Sequence, residues 1–206
     1  MNITPPRPAL LESRLSTVLD AAVSVFARFG YRKTSMEDVA RAAGISRQGL
    51  YLSFANKEEL FRRAVEHSLS NQLACAITEL SRTDASLEAR LIAACKEWSG
   101  RFVGSLGADA ADLMCASTSL AGATLAEYEW QFEEALAHAI GATPVAERCT
   151  AAGVNIADFA RALHATARGL KQACKTQEDF VKVMTAAVRM ACMPPNQQRQ
   201  LKGFAS

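Results

Sequence analysis

The chain has 206 residues, of which 50% are apolar, and a formal net charge of +2. This length allows one or two compact domains with a sizeable core. No apolar run approaches the roughly 18 residues that a membrane helix needs, and the N-terminus lacks the apolar core of a signal peptide, so we expect a cytoplasmic protein that is neither secreted nor held in a membrane.

Residues 1–10 are predicted to form a flexible arm, because Pro5, Pro6 and Pro8 oppose regular structure and chain ends fray. A first helix is predicted over Leu11–Phe29. Its buried stripe consists of apolar residues at helical spacing: Leu15, Leu19, Ala22, Val23 and Phe26. A glycine at position 30 is predicted to end this helix.

Residues 34–61 are the most informative segment, because they show two short helices joined by a tight turn and a third helix directly afterwards. Ser35 and Asp38 have the spacing of a capping box. The helix that they open has one continuous apolar face, formed by Met36, Val39, Ala40 and Ala43. Gly44 follows, where a left-handed turn residue costs least without a Cβ atom.

A second short helix is predicted after Ser46, which can cap it, and Asn56 can cap the helix after that. This arrangement is the sequence form of a helix-turn-helix DNA-binding unit, in which the first turn of the second helix enters the major groove. Arg47 and Gln48 in that turn have the chemistry for base edges or phosphates. Lys57 lies at the N-terminal end of the third helix, where exposed N–H groups suit a phosphate.

Residues 15–61 resemble the DNA-binding region of the TetR/AcrR family of bacterial transcriptional regulators. The matching residues are Ala21, Ala22, Phe26, Gly30, Tyr31, Thr34, Ser35, Asp38, Val39, Ala40, Ala43, Gly44, Ile45, Ser46, Gly49, Leu50, Tyr51, Phe54, Lys57 and Leu60. The resemblance implies an all-α homodimer. Each protomer would have an N-terminal three-helix helix-turn-helix domain and a C-terminal helical effector-binding and dimerisation domain.

The resemblance also implies which residues contact double-stranded DNA. Thr34 and Lys57 would bind phosphates, and Tyr51 would bind a phosphate or a base. The full predicted DNA-binding set is Thr34, Ser35, Ser46, Arg47, Gln48, Gly49, Tyr51, Ser53 and Lys57. Leu52 and Ser53 depart from the aromatic or histidine pair that members often carry, which removes one usual phosphate hydrogen bond and one possible base contact. Arg7 in the arm could touch the minor groove.

The alternative is that residues 34–61 are a helical hairpin of some other bundle. That alternative does not explain three consecutive capped helices that leave Arg47, Gln48, Tyr51 and Lys57 on polar positions. Ten Lys/Arg against seven Asp/Glu in residues 1–67 fit a DNA-facing domain, although ordinary surfaces reach the same excess.

The rest of the chain predicts helices only. The third helix of the unit is expected to run from Asn56 to about Leu80. Further helices are predicted over Leu87–Leu106, Asp109–Ala121, Leu125–Ile140, Asn155–Cys174 and Thr176–Met193, with Val145–Ala152 irregular or a helical turn. We expect the helix-turn-helix domain to span residues 11–67, the second domain residues 68–193, and a frayed tail residues 194–206.

Large apolar residues of the middle helices are predicted to line a pocket for an unidentified small-molecule effector. They are Trp98, Phe102, Met114, Tyr128, Trp130 and Phe132, with Glu97, Glu127 and His138 as polar points. For each of them, the alternative is an ordinary place in the core.

The last two long helices resemble the dimerisation pair of the family, which forms a four-helix bundle with its copy. The residues predicted for this interface are Phe159, Leu163, Leu170, Phe180, Met184 and Val188. The alternative is again that this stripe is ordinary core. A dimer is expected because two half-sites need two recognition helices.

Six cysteines and three histidines show no C-x-x-C pair and no zinc-site spacing, so we expect no metal and no cofactor, with a thiol or metal sensor left open. No nucleophile elbow, phosphate loop or metal triad indicates an enzyme. The leading hypothesis is a repressor that leaves a palindromic operator when a ligand binds. The alternatives are an activator and a DNA-binding protein with no small-molecule effector, architectural or controlled by a protein partner.

Overall fold

The structure, a computed structural model, describes residues 7–104 and 110–193, with backbone alone for residues 7–12 and 110. These residues form an all-α fold, and none of them is in a strand. The helices are α1 (Arg7–Lys33), α2 (Met36–Ala42), α3 (Arg47–Ser53), α4 (Lys57–Leu80), α5 (Leu87–Cys95), α6 (Ala110–Gly141), α7 (Pro144–Ala151), α8 (Ile156–Ala173) and α9 (Gln177–Cys192). No helix in this part of the chain is both long enough and apolar enough to cross a membrane.

The chain divides into two compact units. In its described part, the first unit comprises residues 7–71 and 110–128, and the second comprises residues 72–104 and 129–193. The long helices α4 and α6 each contribute residues to both units. A single boundary near residue 67 was expected, whereas the first unit takes residues from two stretches of the chain. The domain boundary therefore stays a prediction.

The core of the first unit forms where the apolar stripes of α1, α2, α3 and α4 meet. Phe26, Leu50 and Phe61 are almost fully buried there. The rings of Phe26 and Phe61 meet edge to face, with centroids 5.0 Å apart, which is a favourable aromatic geometry. Ala116 of α6 joins the same cluster. These contacts position α3 with its opposite side outward.

Helix α1 begins at Arg7, four residues before the predicted start at Leu11, and the flexible arm expected over residues 1–10 stays a prediction. Pro8 is compatible with a first helical turn because its missing N–H has no helical partner there. Gly30 adopts non-helical angles (φ 78°, ψ 173°) and interrupts the helix before Lys33, as the sequence indicated. Residues 1–6 and the predicted tail lie outside the described residues.

The second unit packs α9 against α5 and α8. Helix α5 is shorter than predicted, because it passes into one π-helical turn over Lys96–Gly100. Gly104 then has φ +74°, and a Cβ atom there would lie 2.4 Å from the carbonyl oxygen of Lys175. Only glycine fits this close approach, so the backbone leaves the predicted helix before Leu106.

The break predicted in the middle of the chain is present as a kink. Asp109–Ala121 and Leu125–Ile140 were expected to be separate helices, and α6 joins two helical segments across non-helical angles at Ala121 (φ −134°, ψ 18°). The second segment begins earlier than the predicted Leu125, because Gly122 and Thr124 are already helical. The segment Val145–Ala152 was predicted to be irregular or a helical turn, and in the structure it forms the helix α7.

Candidate DNA-binding interface

The corner between α1 and α2 is held by side chains that satisfy backbone carbonyls. The Thr34 hydroxyl donates to the Gly30 carbonyl at 2.7 Å. The Lys57 ammonium donates to the carbonyls of Tyr31 and Thr34, at 3.1 Å each. It also lies 4.4 Å from the centre of the Tyr31 ring, where the negative face of the ring attracts a cation. Lys57 thus fastens the start of α4 to the end of α1.

The caps predicted from the sequence are present. The Asp38 amide donates to the Ser35 hydroxyl oxygen at 3.2 Å, and the Ser35 amide donates back to the Asp38 carboxylate at 3.0 Å. The Ser46 hydroxyl accepts from the Gly49 amide at 3.0 Å. The Gly44 backbone has φ +68°, the left-handed conformation that a turn of this kind requires. These bonds fix the angle between α2 and α3.

The outward side of α3 is polar at most positions. Arg47 has a side chain that is 61% exposed, 3.9 Å from Glu37, and its guanidinium lies 5.6 Å from the centre of the Tyr51 ring. A hydrogen bond with Tyr51 raises the pKa of Arg47, so this side chain is a permanent cation. Gln48 and Ser53 are exposed. The outward side therefore offers a cation, an amide and a hydroxyl to a ligand.

An open depression of about 560 Å³ lies beside this side of α3. It is lined by Arg32, Lys33, Thr34, Ser35, Met36, Glu37, Arg47, Tyr51 and Lys57. Five residues of the predicted DNA-binding set meet there. The other four, Ser46, Gln48, Gly49 and Ser53, lie on α3 or at its cap outside the depression.

Arg32 and Lys33 were not predicted as parts of this surface. The sequence did offer a signal, because this basic pair lies between the glycine at position 30 and the start of α2. The amide of Arg32 donates to the Asp112 carboxylate at 2.8 Å, and its side chain lies 3.3 Å from the same group. Arg32 is therefore held by α6, a contact between residues 80 positions apart that no local sequence pattern reveals.

Two predicted phosphate contacts have partners inside the domain. Thr34 is only 3% exposed and its hydroxyl donates to the end of α1. The ammonium of Lys57 donates to the carbonyls of Tyr31, Arg32 and Thr34, at the end of α1 and directly after it. The phosphate contacts of Thr34 and Lys57 stay predictions. In the structure, both side chains hold the corner between α1 and α2.

In the second unit, two predicted pocket residues lie together. The rings of Trp98 and Phe132 stack with centroids 5.0 Å apart. The indole N–H of Trp98 donates to Nε2 of His164 at 3.2 Å, and Nδ1 of His164 lies 2.8 Å from the Glu133 carboxylate. Because an indole nitrogen only donates, Nε2 must accept, so the proton of this imidazole lies on Nδ1. No sequence spacing indicated a partner for His164, because Trp98 and Glu133 are 66 and 31 residues away along the chain.

The other predicted pocket residues are distributed differently. Phe102 of the second unit is half-buried, and Trp130 is 57% exposed. Met114 and Tyr128 belong to the first unit, where Met114 is exposed and Tyr128 half-buried. Of the polar points, Glu127 and His138 are exposed and Glu97 is half-buried. The effector pocket therefore stays a prediction.

Four of the residues predicted for the dimer interface are buried within the chain itself: Leu163, Phe180, Met184 and Val188. They match the alternative of ordinary core, because they fill the space among α5, α8 and α9. Phe159 and Leu170 are half-buried. The exposed sides of α8 and α9 carry a different set of small and apolar residues: Ala162, Ala165, Gly169, Val183, Ala186 and Met190.

Within residues 7–104 and 110–193, no three His, Cys, Asp or Glu side chains come together as metal ligands. The six cysteines are free thiols, of which Cys95, Cys149 and Cys192 are buried. Burial raises the pKa of Cys95 to about 12, so its reactive thiolate form is suppressed.

Residues 18–64 match the family described as bacterial regulatory proteins of the tetR family. The chain is 44% identical over 62 residues to the uncharacterized HTH-type transcriptional regulator YfiR of Bacillus subtilis, which is 30% of each protein. It is 34% identical over 50 residues to IcaR of Staphylococcus epidermidis, a negative regulator of a biofilm operon, or 24% of this chain and 27% of IcaR. These matches span about a third or less of each relative.

Solved structures resemble the fold over most of the chain. A transcriptional regulator from Rhodococcus sp. Rha1 has a TM-score of 0.65 and 18% identity, covering 86% of this chain and 95% of that protein. The regulator FadR of Bacillus subtilis, in complex with stearoyl-CoA, has a TM-score of 0.61 and 14% identity, covering 86% and 97%. The capped helix-turn-helix and the sequence match around it agree, so residues 18–64 carry a DNA-binding domain of the tetR family of bacterial regulatory proteins, and the all-α fold is that of solved transcriptional regulators.

Proposed function

We propose that the chain is a homodimeric transcriptional repressor that binds a palindromic operator and leaves it when a small ligand binds the C-terminal domain. The observation that carries the proposal is α3, which turns Arg47, Gln48 and Tyr51 outward from a capped helix-turn-helix. Repression is supported by IcaR, which is named a negative regulator, and by ComR of Escherichia coli, which is named a repressor.

We assign recognition of the operator bases and affinity for the DNA backbone to different residues. Arg47 and Gln48 are exposed and have side chains that can form paired hydrogen bonds with guanine or adenine edges in the major groove. Tyr51, Arg32 and Lys33 border the adjoining depression and would contact phosphates, which set affinity and orientation. Ser35 and Ser46 cap α2 and α3, Gly49 allows the backbone to approach the DNA closely, and Ser53 supplies a hydroxyl.

The dimer is proposed to form through the exposed sides of α8 and α9. Ala162, Ala165 and Gly169 recur at i, i+3 and i+7 along α8, and Val183, Ala186 and Met190 recur in the same way along α9. Each set therefore forms one stripe. Small residues allow two helices to approach closely, and an exposed apolar stripe gains free energy when a copy covers it. We therefore assign the dimer interface to these two stripes and not to the four predicted interface residues that are buried within the chain.

The effector is proposed to bind in the second unit, near the Trp98 and Phe132 stack, where His164 and Glu133 supply polar atoms within an apolar surrounding. The FadR structure with stearoyl-CoA lends support, because a protein of similar fold holds a small molecule. The ligand lowers operator affinity only by its differential affinity for the two states of the dimer. A compound that releases DNA would distinguish this proposal from a regulator without an effector.

The first test selects binding sites from random duplex DNA with the full-length protein at two salt concentrations. A palindrome with half-sites about one helical turn apart would support the proposal. Binding without a motif, lost steeply in salt, would contradict it, because backbone contacts alone behave in this way.

Arg47→Ala then tests base reading on the selected site. We expect a loss of about 1–3 kcal/mol in binding free energy and relaxed selectivity at one base pair of each half-site. Arg101→Ala, which removes an exposed arginine of the second unit, is the control and should bind like the wild type. Equal weakening on all sequences would assign Arg47 to a phosphate instead.

A further inference from the structure

Leu52 is 85% exposed, whereas Leu50 of the same helix and Phe54, which directly follows α3, are 0% and 3% exposed. Nearly all of an apolar side chain therefore lies in water and contributes nothing to the core of the first unit. Such a side chain gains free energy only when another surface covers it, by roughly 25 cal/mol for each Å² removed from water. The exposed neighbours on the same helix, Gln48 and Ser53, are polar, so an apolar group here calls for its own explanation.

The position of Leu52 around the helix indicates which surface would cover it. Successive residues of an α-helix are about 100° apart, so Leu52 lies roughly 160° around α3 from the buried Leu50. It is therefore opposite the core, on the side of α3 that the proposed function turns into the major groove. Gln48, one turn earlier, lies about 40° away on the same side.

The major groove offers few apolar partners. The edges of the base pairs present nitrogen and oxygen donors and acceptors, except for the C5-methyl group of thymine. Leucine can neither donate nor accept a hydrogen bond. Placed against a guanine, adenine or cytosine edge, Leu52 would cover polar atoms without replacing their bonds to water, which is unfavourable. Placed against thymine, it would bury a methyl group.

We propose that Leu52 determines specificity by packing on the C5-methyl group of one thymine in each half-site. This inference rests on the proposed function and names a base that the bound site must contain. Gln48 and Leu52 then recognise different bases in the major groove. The amide of Gln48 selects a base by hydrogen bonds, and Leu52 selects thymine by apolar contact. Position 52 would discriminate thymine from cytosine, which carries hydrogen where thymine carries the methyl group.

The test replaces thymine by uracil, which removes the methyl group and leaves every hydrogen-bonding atom in place. Each thymine of one half-site of the selected duplex is replaced singly, and the dissociation constant is measured for the full-length wild type, Leu52→Ala and Ile77→Ala. Ile77 is a control because it is an exposed apolar residue of α4, in the second unit. Thermal unfolding of each variant verifies its folding.

We expect one thymine whose replacement weakens the wild type and Ile77→Ala about fourfold, which corresponds to one buried methyl group of about 0.8 kcal/mol. The same replacement should leave Leu52→Ala unaffected, because the side chain that contacts the methyl group is gone. A half-site in which no thymine responds, or in which Leu52→Ala responds as the wild type does, overturns the inference and leaves the proposed function standing. If random DNA yields no motif at all, both fail.

Discussion

Lys57 shows how one side chain can serve the fold at the centre of a binding surface. Its ammonium lies between Tyr31 and Thr34 and donates to both of their carbonyls. A lysine has three donors, and a third carbonyl, that of Arg32, lies 3.5 Å away. The resemblance to relatives indicated a phosphate contact at this position, but no sequence pattern could show that the end of α1 takes up its donors, because those carbonyls lie more than twenty residues earlier.

Lys57→Met should lower the free energy of unfolding by about 1–2 kcal/mol, because partly buried carbonyls lose their hydrogen bonds. Denaturant unfolding measures this change. Lys175→Met removes an exposed lysine of the second unit and should change stability little. Unchanged stability of Lys57→Met, together with a smaller salt dependence of DNA binding, would contradict the structural role and assign Lys57 to a phosphate.

At the scale of elements, the capping box of α2 links stability to pH. The hydrogen bond from the Ser35 hydroxyl, followed by that from the Ser35 amide, lowers the pKa of Asp38. The folded chain therefore holds the Asp38 proton less tightly than the unfolded chain, whose value is about 3.9. Above that value Asp38 contributes stability, and the contribution disappears as the pH falls through the lowered folded pKa.

Asp38→Asn should therefore be less stable than the wild type at pH 7, and the difference should shrink as the pH falls below about 4. Denaturant midpoints measured across this range test the prediction. Ser35→Ala removes the hydrogen bond that lowers the pKa most, so replacing Asp38 in that background should change the pH dependence less. An equal difference between wild type and Asp38→Asn at all pH values would refute the link.

The elements were predicted best where the signal is local. Ser35, Ser46, Asn56 and Thr176 each cap a helix as their spacing indicated, because a cap involves residues within one turn. The kink of α6 at Ala121 lies directly before Gly122, where the local pattern predicted a break. The network of Trp98, Glu133 and His164 was not predicted, because residues of three segments far apart in sequence form it.

At the scale of the whole molecule, the sequence did not separate core from interface. Leu163 and Met184 have the same helical spacing as an interface stripe, yet both are buried within the protomer. The helical spacing of apolar residues indicates which side chains are buried. It does not indicate whether they are buried by the same chain or by a second copy. The separation needs the tertiary fold, which leaves Val183 44% exposed and Met190 59% exposed.

Val183→Glu should convert the proposed dimer to a monomer, because a charge buried in an apolar interface costs several kcal/mol without a partner. Sedimentation equilibrium measures the mass, and DNA binding should weaken in parallel because half-sites are no longer held in pairs. Ile77→Glu introduces the same charge at a residue with nearly the same exposure, 43% against 44%, and should leave the mass unchanged. A dimeric Val183→Glu protein would refute the assigned stripes.

Both tryptophans of the chain, Trp98 and Trp130, lie in the second unit. Ultraviolet-excited tryptophan emission therefore reports on the second unit alone and carries no signal from the helix-turn-helix. Trp130→Phe would leave one emitter, whose indole is stacked on Phe132 and hydrogen-bonded to His164. Titrating that single-tryptophan protein with the selected duplex would reveal, without any added dye, whether DNA binding at the helix-turn-helix changes the environment of the proposed effector site.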